Sequence, residues 1–253
     1  MILRAAASTH VGRRRQANED RYAMAPDIGL YLVADGMGGH RAGQVASEMA
    51  AESAIRAVEA LQGAEVNPSE KLRHAVACAN REIHGAAMQE PELRGMGTTL
   101  VAVLVANGRL ALAHVGDSRA YLIRNQRIRQ LTDDHSVVGE LLRRQEISED
   151  DAREHPHRHV LTRALGVRKS AVPDLAELTP QPGDVVLMCS DGLTTHLRDE
   201  EMLACVLSAD EPQIICERLV EFANERGGVD NITVLVVRYD AGRVVRPEAR
   251  EGN

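Results

Sequence analysis

Apolar, strand-like runs in this sequence repeatedly hand over to a carboxylate. "LYLVADG" reaches Asp35 and Gly36, "LMCSDG" reaches Asp191 and Gly192, and "AHVGDS" reaches Asp117. Two more acidic sites stand at strand entrances: Asp230 in "GGVDNIT", before the last apolar run, and Glu19 and Asp20 in "NED", before the second. Each has an ordinary explanation when taken alone. Asp-Gly is a favoured turn, because Asp bonds its own backbone and Gly supplies positive φ. Asp117 fits a hairpin turn, Asp230 a strand start and Asp20 a solvated loop. Together these explanations weaken, because a fold whose strands converge at these ends gathers negative charge. Like charges at close range raise one another's pKa. A divalent cation removes that penalty, and an all-oxygen donor set selects magnesium or manganese over zinc.

The order of elements narrows the fold. Strands are expected at 2–9, 21–25 and 30–34. Ala42, Val45, Ala46, Met49, Ala50, Ala54, Ala57, Val58 and Leu61 then recur at three- and four-residue steps, the spacing of a helix. "NPSE" (67–70) opens a second helix, with Asn67 or Ser69 as its cap. The runs 98–106, 109–116, 118–124 and 127–132 are separated by "NG", "GD" and "NQ" and read as one antiparallel meander. Residues 133–170 are polar, rich in Arg and His and only weakly helical, a long insertion of the kind that carries function. A strand at 184–190, helices at 199–207 and 211–225 and a strand at 232–239 close the pattern. Strands in hairpins with helices in separate pairs predict antiparallel sheets under helices, not a doubly wound parallel sheet. Neither linker nor repeat interrupts the chain, so one domain is expected over 1–240, with a polar tail at 241–253.

Composition removes other classes. The net charge of −7, from 37 acids against 30 bases, argues against nucleic acid as a partner. The cysteines at 78, 189, 205 and 216 form no C-x-x-C pair and read as reduced core thiols of a cytoplasmic protein. "MILRAAASTH" lacks the apolar core of a signal peptide, and no run approaches the ~20 apolar residues of a membrane span. With no Trp and one Phe, the core must be built from Val, Leu, Ile and Ala.

Eight segments, in order, carry a family resemblance: "GRRRQANED" (12–20), "VADGMGGH" (33–40), "GMGTTL" (95–100), "VGDSRAY" (115–121), "LTDDHS" (131–136), "HPHRHVLTRALG" (155–166), "SDGL" (190–193) and "GGVDNITVLVV" (227–237). The chain resembles the PPM-type (type 2C) metal-dependent protein serine/threonine phosphatases in their compact bacterial form. The resemblance implies an α+β fold, a four-layer α-β-β-α sandwich of two mainly antiparallel sheets flanked by helix pairs. It implies hydrolysis of phosphoserine and phosphothreonine by a metal-activated water without a phosphoenzyme, reversing a bacterial eukaryotic-like kinase. A monomer is expected, working with two or three manganese or magnesium ions.

The resemblance also implies roles. Asp35 bridges two ions, and Gly36 offers its carbonyl to one of them. Gly36 is expected to be glycine because a side chain there would crowd the ion and its waters. Asp191 and Asp230 complete the second ion. Asp117, helped by Asp191, binds a third. Glu19 and Asp20 ligate or orient metal-bound waters, Glu19 directly or through water. Motif spacing selects Arg15, three before Asn18, as the phosphate clamp, since a guanidinium grips two oxygens at once. Met37 stands where animal members carry a proton-donating His. His40 is expected to start a helix, not to act chemically. The segment 137–165 resembles a mobile flap, in which His155, His157 and His159 are expected to be structural and Thr162 and Arg163 to anchor. A pseudophosphatase that binds phosphoproteins without turnover is the competing expectation. The completeness of Arg15, Asp35, Asp191 and Asp230 favours the enzyme.

Overall fold

The long apolar runs become strands covered on both faces, which is why they read as nearly continuous rather than alternating. In β3 (Leu30–Met37), Leu30, Leu32 and Ala34 face helices, while Tyr31 and Val33 face a second sheet. In β11 (Ile232–Asp240), Ile232, Val234 and Val236 face helices, and Leu235, Val237 and Tyr239 face inward. A computed structural model describes residues 2–39 and 41–240. The expected helix-start residue His40 and the tail 241–253 lie outside the described residues.

One sheet runs β1 (Ile2–His10), β11, β10 (Val185–Cys189), β7 (Arg119–Arg124), β8 (Arg127–Gln130). The other runs β2 (Asp20–Ala25), β3, β5 (Leu100–Ala106), β6 (Arg109–Val115), β9 (Asp174–Leu178), with the short β4 (Gly97–Thr98) on the end of β3. The ladders are antiparallel. The helices α1 (Arg41–Glu59) and α2 (Pro68–Gln89) cover the second sheet, where the alanine stripe Ala42, Ala46, Ala50, Ala54, Ala57 lets α1 lie close. Asn67 is the cap of α2, accepting from the Ser69 amide at 2.8 Å. The short α5 (Asp191–Thr194), α6 (Asp199–Leu207) and α7 (Pro212–Glu225) cover the first sheet. The result is the four-layer α-β-β-α sandwich, with Val, Leu and Ala filling the space between the sheets.

Three expectations need correction. The four runs between 98 and 132 are not one meander. β5–β6 and β7–β8 are hairpins, each turning on two residues of positive φ, Asn107–Gly108 and Asn125–Gln126. Between them, β6 pairs with β9 and β7 with β10, so "GD" is a crossover from one sheet to the other, made at Gly116 with φ of 112°. The apolar run at 30–34 does not end its strand at Asp35, because Gly36 and Met37 pair with Thr98 and Gly97. Cys189, Cys205 and Cys216 are buried free thiols, but Cys78 on α2 is only half-buried. The edge strand β9, "DLAEL", was not anticipated, since it is short and half exposed. In the insertion, α3 (Val137–Arg143) and α4 (Glu149–Glu154) are single turns or little more, capped by Ser136 and Ser148.

Strand direction then decides where the acids go. Asp20 opens β2 opposite the end of β3, Asp117 leaves β6, Asp191 follows β10, and Asp230 precedes β11. Register places these termini at one end of the sandwich.

Candidate metal centre

Asp20 and Asp35 are direct cross-strand partners in the β2–β3 ladder. Like charges placed opposite each other destabilise a sheet, so this pair needs a compensating partner. Asp20 is almost fully buried. Ser190 Oγ donates to its Oδ2 at 2.8 Å, while Oδ1 is buried without a hydrogen-bond partner. Burial pushes the Asp20 carboxyl up to about 7, with the charges of Asp191 and Asp230 adding and the hydroxyls of Thr233 and Ser190 opposing. Asp35 is raised well above the carboxylate range by burial first, then by Asp20, Asp191, Asp117 and Asp230. Its backbone is fixed: the amide donates to Thr99 Oγ1 at 2.9 Å, and the carbonyl accepts from the Thr99 amide at 2.8 Å and Thr98 Oγ1 at 2.9 Å. Asp117 is raised well above its ordinary value by burial, Asp191 and Asp134, with Arg119 opposing.

Glu19 is held by its backbone. Its amide donates to Asn231 Oδ1 at 2.8 Å, and its carbonyl accepts from Ser47 Oγ at 2.5 Å and the Gly36 amide at 3.2 Å. Asn231 also donates to the carbonyls of Val11 and Ala17, both at 2.9 Å, so one side chain ties the loop carrying Arg15 and Glu19 to the start of β11. Sequence reasoning gave Asn231 no role, although it stands beside Asp230 in the quoted motif. Thr98, Thr99 and Ser190 were likewise inside quoted motifs without assigned roles.

Packing gives Gly36 a reason of its own. A Cβ there would run into the carbonyl oxygen of Gly43 on α1. A Cβ on Gly43 would in turn strike the Glu19 carboxylate. The glycines allow α1 to pack backbone on backbone against the end of β3. Gly192 follows the same logic: its Cβ would meet the Asn231 carbonyl. Gly38 and Gly39, with φ of 131° and 80°, make the turn toward α1.

Arg15 Nη2 donates to Asp230 Oδ2 at 2.7 Å. Burial opposes its charge, but Asp230, Glu19 and Asp35 hold its pKa above the ordinary value. A cleft of about 1090 Å³ adjoins this cluster on the flap side, lined among others by Asp117, Arg119, Asp134, Arg158, His159 and Asp191. Asp20, Asp35 and Asp230 are not in its wall. At the flap roots, the Thr162 amide donates to the His135 carbonyl at 2.8 Å and Arg163 pairs with Asp174 at 2.7 Å. His155 and His157 contact each other edge to face, whereas His159 Nδ1 lies 3.6 Å from Asp191 Oδ2.

Among the described residues, no three His, Cys, Asp or Glu side chains already form a closed cage. The donors nonetheless fit a hard divalent cation: all are oxygen, three carboxyls are raised by burial and by one another's charge, and one buried carboxylate oxygen lacks a partner. Such a group of carboxylates beside an arginine can hold cations, position a water and bind an anion such as phosphate.

Comparison with known proteins gives the same direction. The family model for protein phosphatase 2C matches residues 6–232. The serine/threonine phosphatase stp of Listeria monocytogenes is 44% identical over 238 residues, covering 92% of this chain and 94% of that protein. The crystal structure of the Mycobacterium tuberculosis serine/threonine phosphatase PstP/Ppp is similar with a TM-score of 0.87 at 38% identity, covering 95% of this chain and 100% of that one. The catalytic domain of PstP in complex with two manganese ions is similar with a TM-score of 0.83 at 38% identity, covering 94% and 99%.

Proposed function

Because the chain belongs to the protein phosphatase 2C family, we propose that its carboxylate cluster is the metal centre of a serine/threonine phosphoprotein phosphatase, with Asp35 at its middle. The enzyme is a phosphoric monoester hydrolase, and its cofactors are divalent ions, manganese or magnesium. In this reading Asp35, the Gly36 carbonyl, Asp191 and Asp230 hold two ions, and Asp117 with Asp191 holds a third. Bound divalent ions supply an acidified water and offset charge on the phosphoryl group.

The chain's own residues do the rest. Arg15 exchanges Asp230 for two oxygens of the substrate phosphate and orients it for in-line attack. Asp20, with its unpaired Oδ1, accepts a hydrogen bond from the attacking water and holds it in place; Glu19 supports the same water network. The attacking oxygen forms the new bond to phosphorus, the bond to the serine or threonine oxygen breaks, and that oxygen leaves as the alcohol after taking a proton. Met37 has no proton to give, so solvent supplies it. A cysteine nucleophile is disfavoured: burial pushes the Cys189 and Cys216 thiols up to about 12.

What supports this reading most is the Asp20–Asp35 pair, locked opposite each other by register, with Asp20 almost fully buried and its Oδ1 without a hydrogen-bond partner. Residues 1–240 act as one catalytic unit with the flap inserted at 137–165. The substrates are phosphorylated proteins, including those of a cognate kinase, and the protein acts as a cytoplasmic monomer. Among the described residues no helix is long and apolar enough to cross a membrane. The test is phosphate release from a phosphothreonine peptide. Release should require manganese or magnesium, stop on chelation, and fall at least ~10²-fold in Asp35→Asn and Asp191→Asn with the fold retained. No release with any divalent ion from folded protein would leave a phosphoprotein-binding module instead.

A further inference from the structure

The three flap histidines are not equivalent. His155 and His157 satisfy one another: their rings meet edge to face at 5.6 Å, and the His157 amide donates to His155 Nδ1 at 3.1 Å. His159 stands apart. Its ring is half exposed and faces Asp191, with Nδ1 3.6 Å from Oδ2, and both residues line the cleft together with Asp117. That separation is too long for a hydrogen bond, which needs about 2.7–3.2 Å. It is close to the spacing of two donors that share one ion. With bonds of about 2.1 Å, ligands at octahedral to tetrahedral angles stand about 3.0–3.4 Å apart.

The position of His159 is set by the scaffold that also sets Asp117. The Val137 amide donates to the Val160 carbonyl at 2.9 Å, and Ser136 bridges to Leu161. The same short segment holds the loop before Asp117. The His135 amide donates to the Gly116 carbonyl at 2.7 Å, and the Gly116 amide donates to His135 Nδ1 at 3.1 Å. One stretch, 135–137, therefore fixes the backbone beside Asp117 on one side and beside His159 on the other. His159, Asp117 and Asp191 thus line one cleft, with His159 nearest to Asp191.

We propose that His159 is a flap-borne nitrogen ligand to a divalent cation shared with Asp117 and Asp191, so that the flap closes onto the cation itself. The inference rests on the assignment of Asp117 and Asp191 made above. An imidazole donor is tolerated by manganese and disfavours magnesium, whose preference is for oxygen. This ion should accordingly be the most manganese-selective of those the protein binds.

The test uses the folded protein loaded with Mn²⁺ and read by pulsed electron paramagnetic resonance. Native protein should show ¹⁴N modulation from one imidazole. The modulation should vanish in His159→Asn and persist in His157→Asn. In a calorimetric Mn²⁺ titration, His159→Asn should weaken one site about 10-fold or more and leave the others unchanged. Mn²⁺ binding without ¹⁴N modulation, or modulation that survives in His159→Asn, overturns the inference while leaving the carboxylate centre intact. No Mn²⁺ binding at all overturns the centre and this inference with it.

Discussion

Arg15 and Gly36 are each one residue from ordinary loop chemistry, and each has a measurable consequence. Asp230 engages an Nη2 donor of Arg15, and the guanidinium has five donors in a fixed fork. If that fork clamps phosphate, Arg15→Ala should lower kcat/KM for a phosphothreonine peptide by about 10²-fold, and Arg15→Lys should restore little of it, because an ammonium cannot grip two oxygens. Full activity in Arg15→Lys would remove the bidentate role. Gly36→Ala should destabilise the protein by about 2 kcal/mol or more, read from denaturant midpoints, because its Cβ meets backbone that cannot move away. Asp35 was legible in the sequence, as was its companion glycine. Its packing against α1 was not, since Gly43 lies in the first turn of the next helix and only the fold brings the two glycines together.

His114 shows what the strands enforce. It lies on β6, almost fully buried against His135 at a ring separation of 4.6 Å, and burial first and the His135 charge second push it down to about 3. It is neutral in the folded protein, whereas the unfolded chain takes up a proton below about 6.5. The unfolded state therefore binds more protons between these values, and stability rises with pH from about 3 to about 6.5, by up to about 1.4 kcal/mol per unit. Asp20, held up to about 7, acts with the opposite sign between about 4 and 7. The difference between native protein and His114→Gln isolates the histidine: the variant should lose that positive slope. Equal slopes would mean His114 is not held neutral. At this scale the helices and most strands were readable from periodicity, because each buries one stripe or both faces. The β6–β7 crossover was not, because "GD" serves a hairpin and a change of sheet equally well. Only the partners β9 and β10, distant in sequence, decide between them.

The whole molecule is a device for bringing strand termini from two sheets to one end of a sandwich. Neither sheet alone could do this: Asp20 and Asp35 come from one, Asp191 and Asp230 from the borders of the other, and Asp117 from the crossover between them. The two sheets and their helical covers were legible from the order of elements, while the pairing of Asp20 with Asp35 and the pin made by Asn231 depend on register that local sequence does not carry. A fold that converges carboxylates without an ion should be strained by them and relieved by one. The most direct test is thermal unfolding of native protein and Asp35→Asn, each with chelator and with excess manganese. In chelator, Asp35→Asn should melt a few degrees higher, since about 1 kcal/mol of relieved repulsion is worth ~2–4 °C at this size. Manganese should raise the native protein above the variant, by about 2.7 kcal/mol per site at a hundredfold excess over Kd, and reverse the order. A native protein unmoved by manganese, or a variant that melts lower in chelator, would contradict a metal centre built around Asp35.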